Sequence, residues 1–218
     1  MNSPESEGAR APGRPRSAER DVQIRDAAWR LIAQSGCAAL TFEAIAQAVG
    51  CSRSTLYRRF DSKGDLILHL LDETALSFEP EFAPDATPRD ILIAHVRICA
   101  IMYRGHRGVA FVHIFAAARN DPAIAKAVRS HGALVLPYYF APMRQLAPEA
   151  SERGILFALH TLIGSVMHHA AGRGAPPSEK ECEYLVDAAI LIARIHDDPG
   201  GNGSGEEVPQ TIRAGMEG

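Results

Sequence analysis

The stretch from residue 40 to residue 66 constrains the fold most, because it predicts two short amphipathic helices separated by a single glycine. Apolar residues of the first helix follow the i, i+3, i+4, i+7 spacing of one helix face: Phe42, Ile45, Ala46 and Val49. Thr41 is its predicted N-cap and Gly50 ends it. Ser52 is the predicted N-cap of the second helix, in which Leu56 and Phe60 share an inward face. Two short helices joined by a tight glycine-containing turn indicate a helix-turn-helix.

The rest of the chain is also helical in pattern, because no segment shows the sustained period-two alternation of a strand. Further helices are predicted over about 17–34, 62–78, 89–103, 108–118, 121 onward, 150–171 and 178–196. Serines are the expected N-caps of three of them: Ser17, Ser62 and Ser178. Pro137 and Pro142 are expected to break or kink the helix that starts at Asp121. The predicted fold is therefore all-α, with about nine helices.

The domain organisation follows from these patterns and from composition. Residues 1–16 and 197–218 are rich in Pro, Gly and Ser, which predicts a disordered basic arm and a disordered tail. Between them we expect a three-helix helix-turn-helix domain at 17–62. A helical domain at 63–196 follows, and we expect it to bind a ligand and to dimerise.

Charge is distributed unevenly along the chain. The formal net charge is −3, but residues 10–63 carry ten basic and five acidic residues, whereas the remainder carries 13 basic and 21 acidic. This asymmetry favours a local nucleic-acid-binding surface. No apolar run approaches the roughly 18 residues of a membrane span, and residues 1–17 lack the apolar stretch of a signal peptide. We expect a cytoplasmic protein that does not enter membranes.

The helix-turn-helix carries side chains suited to DNA. Arg53 can pair bidentately with guanine, while Ser54 and Thr55 can approach bases or phosphates. Thr41 lies at the positive end of its own helix, where a phosphate is favoured. Basic or hydroxyl side chains suited to the phosphate backbone complete the set: Tyr57, Arg59 and Lys63. Arg14 and Arg16 are interpreted as a minor-groove arm or as part of a solvated tail. The predicted DNA-binding residues are Arg14, Arg16, Thr41, Ser52, Arg53, Ser54, Thr55, Tyr57, Arg59 and Lys63.

The segment LTFEAIAQAVGCSRSTLYRRFDSKGDL resembles the DNA-binding motif of the TetR/AcrR family, and the resemblance covers roughly residues 20–70. Three positions depart from it: Cys51 where Val is common, Arg59 where His is common, and Gly64 where Glu is common. The resemblance implies an all-helical homodimer in which the last two helices of each subunit form a four-helix bundle. It also implies that a small molecule bound in the C-terminal domain releases the protein from a DNA operator.

Residues for a ligand site and a dimer interface are expected in the C-terminal helices. Apolar helices that carry scattered polar groups can line a small-molecule site, which selects His95, Cys99, Met102, Phe111, Phe115, Tyr138 and His160. Apolar stripes in the last two helices select a dimer interface of Leu156, Leu159, Ile163, Gly164, Met167, Leu185, Ala188 and Ile192. Packing within one subunit explains both sets of residues equally well.

The predicted function is a sequence-specific DNA-binding transcription regulator: a repressor that a small molecule releases from a palindromic operator, without a cofactor. Activation in place of repression stays open. An enzyme is not predicted, because the sequence contains no G-x-S-x-G, no glycine-rich phosphate loop and no HExxH. Alternatives of the same fold are a redox sensor, through Cys51, or a metal sensor, through some of the nine histidines. A non-specific DNA-binding protein is a further alternative, although it leaves the acidic helical body unexplained.

Overall fold

The computed structural model describes residues 15–76, 80 and 82–195, with side chains from residue 18 onward. These residues form nine α-helices and no strand, which confirms the all-α prediction. The helices are α1 (Pro15–Ala39), α2 (Phe42–Val49), α3 (Arg53–Tyr57), α4 (Lys63–Leu76), α5 (Pro88–Met102), α6 (Gly105–Ala117), α7 (Pro122–Leu146), α8 (Glu152–Gly172) and α9 (Glu179–Ile195).

Helix α1 differs from the prediction at both ends. It begins at Pro15, so residues 15 and 16 are helical and Ser17 is inside the helix instead of capping it. Proline is well suited to a first helical turn, because its missing N–H would have no partner there. Gly36, the predicted end, adopts φ 74° and ψ 175° and interrupts the helix, and one further turn follows. Arg14 and the side chain of Arg16 lie outside the described residues.

The turn between α2 and α3 follows from local sequence. The Thr41 hydroxyl accepts a hydrogen bond from the Ala44 N–H at 3.0 Å, which confirms its N-cap role. Gly50 ends α2 in the left-handed region, at φ 64° and ψ 44°, where glycine meets no steric penalty. Leu56 and Phe60 point inward as predicted. Helix α3 therefore packs on α2 through Leu56 and leaves its polar side chains exposed.

The N-terminal helices contact the later ones at two junctions, α1 on α6 and α4 on α7. At the second, a β-carbon added to Gly64 would lie 3.0 Å from both the β-carbon and the carbonyl oxygen of Ala123. Glycine at position 64 thus permits the start of α4 to approach the start of α7 closely. This contact gives a physical reason for its departure from the family pattern, in which Glu is common.

Replacing Gly64 with valine should destabilise the protein by about 1–3 kcal/mol, because a side chain there must push α4 away from α7. The measurement is the free energy of unfolding by urea. Gly132→Val is the matched control, since a β-carbon at that helical glycine would have no atom within 4 Å. Equal losses in the two variants would contradict the close-approach explanation.

Helix α7 is not broken at its prolines, so the predicted break is wrong and the kink stays a prediction. It runs for 25 residues from Pro122 to Leu146, with Pro137 and Pro142 both inside it. Each proline removes one backbone donor from the helix. The helix nevertheless continues, with Phe140, Pro142 and Met143 buried between or beside the two positions. Packing of this segment therefore outweighs the local preference for a break.

The sequence predicted no segment apolar enough to span a membrane, but α8 passes that test by its length and composition. Among the described helices it alone is long and apolar enough, by length and composition, to cross a bilayer, and a third of its most apolar window is buried. A core helix of a soluble protein passes the same test. Ile155, Ala158 and Leu162 of α8 are buried inside the subunit, and α9 packs along it. The single helix is thus weak evidence for a membrane segment.

The last helix is capped as the sequence predicts. The Ser178 hydroxyl accepts from the Glu181 N–H at 3.3 Å, and the Glu181 carboxylate accepts from the Ser178 N–H at 2.8 Å. At the start of α5, Thr87 and Asp90 form a second such box, which the sequence analysis missed. Arg89 of α5 then pairs with Asp187 of α9 through two hydrogen bonds, of 2.7 and 2.9 Å. These contacts fix α9 against the body of the subunit.

Candidate DNA-binding surface and ligand cavity

Helix α3 presents the polar residues predicted to read DNA. The Arg53 side chain is 64% exposed and lies 3.6 Å from the Glu43 carboxylate, an exposed pair that contributes little to stability. Ser54 is exposed, and Tyr57 is 62% exposed, so Tyr57 is a surface residue and not a core aromatic. Arg58 is exposed beside Tyr57 and was not among the predicted contacts. Its position one helical turn after Ser54 was the sequence signal that could have selected it.

Thr41 and Tyr57 lie on adjoining parts of this surface. The ring of Tyr57 packs edge-on against Phe42, with centroids 4.8 Å apart, which places Tyr57 beside the start of α2. The Thr41 oxygen accepts the capping hydrogen bond, so its O–H remains a donor at an exposed helix N-terminus. A phosphate oxygen is an acceptor suited to these two hydroxyls.

Ser52 corrects part of the prediction. It occupies the N-cap position of α3 with extended backbone angles, but its hydroxyl accepts no backbone hydrogen bond. It instead shares hydrogen bonds with the hydroxyls of Ser54, at 2.8 Å, and Thr55, at 3.0 Å. Three linked hydroxyls therefore stand at the exposed start of α3, where each can exchange its partner for a DNA acceptor or donor.

Two predicted phosphate contacts are paired inside the protein. Arg59 donates to the Asp21 carboxylate at 2.6 Å and to the Thr55 carbonyl at 3.0 Å, which joins α3 to α1. The Lys63 ammonium lies 3.0 Å from the carboxylate of Asp121, the N-cap of α7. This hydrogen bond is the largest cause of a lowered pKa at Asp121. Phosphate binding by Arg59 and Lys63 stays a prediction. In the structure each side chain forms an ion pair with a carboxylate of another helix or helix cap.

A cavity of about 480 Å³ lies between α5, α6, α7 and α8. All seven residues predicted to bind a ligand line it: His95, Cys99, Met102, Phe111, Phe115, Tyr138 and His160. Most of its other lining residues are apolar. Its size is within the usual range of small-molecule sites. Ligand binding itself stays a prediction for these residues.

Burial shifts the pKa of four groups that line the cavity toward their neutral forms. Burial lowers the pKa of His95, whose ring lies 5.5–5.6 Å from the rings of Phe82, Tyr138 and Tyr139. Burial also raises the pKa of the Cys99 thiol to about 12. The same cause raises the pKa of the phenols of Tyr103 and Tyr139 well above its usual value. These groups hold the neutral form, because desolvation disfavours the charged one.

Two side chains in the cavity wall also contact the DNA-binding helices, and sequence reasoning missed both contacts. Phe111 packs against Trp29 of α1, with ring centroids 5.3 Å apart. His131 of α7 is 93% buried and hydrogen-bonds Asp72 of α4 at 2.9 Å. Burial lowers the pKa of His131, and this effect outweighs the opposing one of the Asp72 carboxylate. Each pair joins residues far apart in the sequence, so no local sequence pattern predicts the contact.

The predicted dimer residues divide into two groups. Leu159 was predicted at the dimer interface, but it is only 1% exposed and lines the cavity. It therefore cannot contact a second subunit in this conformation. Leu156 and Ile163 are partly buried and also line the cavity. Gly164 and Ala188 are exposed, while Met167, Leu185 and Ile192 are partly exposed. Large exposed apolar side chains that the prediction omitted extend this face of α8 and α9: Phe157, Tyr184, Leu191 and Ile195.

The metal and redox alternatives concern histidine and cysteine side chains of the described residues. No three His, Cys, Asp or Glu side chains come together there in a group that could hold a metal ion. All four cysteines are free thiols. Only Cys51 is partly exposed, whereas Cys37, Cys99 and Cys182 are buried.

The helix-turn-helix and its exposed second helix define a DNA-binding transcription regulator. Residues 24–70 match the sequence profile of the family described as bacterial regulatory proteins, tetR family. The chain is 23% identical over 181 residues to the DNA-binding transcriptional repressor TetR of Mycobacteroides abscessus, covering 81% of this chain and 95% of that protein. It is 26% identical over 143 residues to the uncharacterized HTH-type transcriptional regulator YdeS of Bacillus subtilis, and the match covers 66% of this chain and 68% of that protein.

Solved structures share the fold over most of this chain. A transcriptional regulator from Pseudomonas aeruginosa PAO1 superimposes with a TM-score of 0.65 at 17% identity, over 84% of this chain and 95% of that one. A TetR-family regulator from a Rhodococcus species gives a TM-score of 0.59 at 16% identity, and the superposition covers 81% of this chain and 99% of that one. Residues 24–70 thus match the DNA-binding region of the tetR family, and the chain as a whole is similar to DNA-binding transcription regulators.

Proposed function

We propose that the protein is a homodimeric repressor that binds a palindromic operator and leaves it when a small molecule occupies the cavity. The observation that carries this proposal is a pair of contacts from the cavity wall toward the DNA-reading domain: Phe111 touches Trp29 of α1, and His131 bonds Asp72 of α4, the helix that directly follows that domain. Residues 17–62 would read DNA, and residues 63–196 would bind the ligand and dimerise. Such a protein acts in the cytoplasm, where its DNA is.

DNA reading is assigned to α3, with Arg53 at base edges and Ser52, Ser54 and Thr55 at bases or phosphates. Thr41, Tyr57 and the exposed Arg58 suit phosphates, which set the register of the protein on DNA. Arg14 and Arg16 would extend contact into the minor groove. A two-fold dimer places two copies of α3 one helical turn of DNA apart, which is why the operator should be palindromic.

Release by a ligand requires that the ligand favour a conformation with lower affinity for DNA. The two contacts named above supply that link. A molecule that displaces Phe111 also shifts the packing around Trp29 of α1, and one that displaces His131 removes the partner of Asp72 on α4. The Lys63–Asp121 pair adds a third connection, from the end of the helix-turn-helix to the start of α7.

The dimer is assigned to the exposed face of α8 and α9. Helix α8 is apolar, yet much of its surface is uncovered within one subunit. Exposed apolar residues of both helices lie on that face, among them Phe157, Tyr184 and Leu191. A second copy packed on this face would remove them from water, which favours association.

The test is a fluorescence-anisotropy titration of the full-length protein against the DNA that flanks its own gene, at two salt concentrations and with excess competitor DNA. We expect nanomolar, salt-sensitive binding that survives the competitor, with two subunits per site. If that DNA shows no preference, selection from random DNA identifies the operator. Failure to select any preferred sequence would overturn the proposal and favour non-specific binding.

A further inference from the structure

We propose that the ligand of the cavity is an apolar carboxylic acid, with its hydrocarbon body in the interior and its carboxylate at Arg129 on the rim. This inference rests on the proposed function, in that it takes the cavity as the ligand site. It assigns the chemical class of the ligand, which neither the fold nor the relatives supply.

The interior selects an uncharged, apolar body. The walls are formed mainly by aliphatic and aromatic side chains, including Met102, Phe111, Phe115 and Leu159. The buried polar groups among them are a neutral imidazole, a thiol and phenols. Tyr139 already donates its hydroxyl to the His95 carbonyl at 3.2 Å. A charge placed in this interior would lose its hydration without an ionic partner, which is costly.

The described lining of the cavity carries a cation but no carboxylate. Arg129 lines it, and none of the described lining residues is an Asp or a Glu. Among the described residues, Asp72 is the carboxylate that bonds a lining side chain, the buried His131. The described lining therefore offers no free counter-ion to a cationic ligand. An anionic group at the rim meets a guanidinium.

Arg129 is the candidate anchor. It is exposed on α7 and makes no hydrogen bond or ion pair with another described residue. Its planar group of N–H donors matches the two oxygens of a carboxylate. His131, whose hydrogen bond to Asp72 reaches α4, lines the same cavity from the same helix.

A quaternary ammonium is the strongest competing ligand, because the rings of Phe82, Tyr138 and Tyr139 around His95 could attract a cation through their faces. The carboxylic acid is favoured because a cation gains only those contacts, whereas an acid gains a full opposite charge at Arg129. The two possibilities differ in the sign of the head group, so probes with one hydrocarbon body distinguish them.

The experiment is isothermal titration calorimetry of the full-length protein, without DNA, with three probes below their critical micelle concentrations: decanoate, 1-decanol and decyltrimethylammonium. We expect decanoate to bind with one site per subunit, 1-decanol to bind about tenfold more weakly because it lacks the charge-assisted hydrogen bonds, and decyltrimethylammonium not to saturate. The fluorescence of Trp29, the only tryptophan of the chain, should change with decanoate, because Trp29 contacts Phe111 of the wall.

The matched variants isolate the anchor. Arg129→Gln should reduce decanoate affinity to that of 1-decanol and leave the affinity for 1-decanol unchanged. Lys126→Gln removes an exposed cation from α7 that does not line the cavity, and should change neither affinity. Equal or tighter binding of decyltrimethylammonium, an unchanged decanoate preference in Arg129→Gln, or no binding of any probe would overturn the carboxylic-acid assignment.

DNA binding is measured in a separate experiment, so that failure of the ligand class and failure of the regulator can be distinguished. Anisotropy with the operator, without probe, should give the same affinity for Lys126→Gln as for the unaltered protein. A protein that binds decanoate but prefers no DNA sequence would refute the regulator and leave the ligand class standing. A protein that binds its operator but none of the probes would refute the ligand class alone.

Discussion

Replacing Arg53 with alanine should weaken operator binding roughly 5- to 150-fold for each half-site and relax the preference at one base position, because a bidentate arginine–guanine pair is worth about 1–3 kcal/mol of discrimination. Arg53 stands at the exposed start of α3 and is held only by a 3.6 Å contact with Glu43. It is therefore free to turn toward a base edge. The measurement is anisotropy with the operator and with single-base variants of it.

Arg58→Ala is the matched control, since Arg58 is an exposed arginine at the other end of the same helix. Its loss should weaken binding to all sequences alike and reduce the salt slope by about one. Lys63→Ala is a poorer control, because it also removes the ion pair with Asp121. Equal loss of base preference in Arg53→Ala and Arg58→Ala would contradict the assignment of base reading to Arg53.

Replacing Leu191 with aspartate should convert the dimer to a monomer and abolish tight operator binding. Leu191 is 57% exposed on α9, in line with Tyr184 and Ile195. An unpaired charge buried at the centre of an apolar interface costs several kcal/mol, enough to dissociate a dimer at micromolar concentration. Sedimentation velocity gives the mass, and anisotropy gives the loss of affinity for DNA.

Val109→Asp is the control for the added charge, because Val109 is an exposed apolar residue on α6, outside the two helices assigned to the dimer. It should remain a dimer. Deleting the chain from Ser178 onward is less informative, since α9 buries Cys182, Val186 and Ala189 inside its own subunit and the deletion would unfold the core. A Leu191→Asp variant that still sediments as a dimer would place the interface elsewhere.

The sequence by itself determined the helix-turn-helix. Thr41, Gly50 and the inward pair Leu56 and Phe60 act within a few residues of one another, through a cap, a left-handed turn and a helical repeat. Such local effects depend little on the rest of the fold. The seven residues that the same reasoning selected for a ligand site all line the cavity, together with others that it did not select. Spacing indicates which residues share a helix face, but not what that face packs against.

The tertiary structure alone decided what these side chains face. Spacing placed Leu159 on an apolar stripe, but packing turned that stripe toward the cavity and left Phe157 and Leu191 on the surface. Pro137 stayed inside a continuous helix because its surroundings outweigh the local preference. The links from the cavity to the DNA-binding helices, Phe111 with Trp29 and His131 with Asp72, join positions that are 82 and 59 residues apart. Contacts at such separations arise only when helices pack, and no local pattern in the chain encodes them.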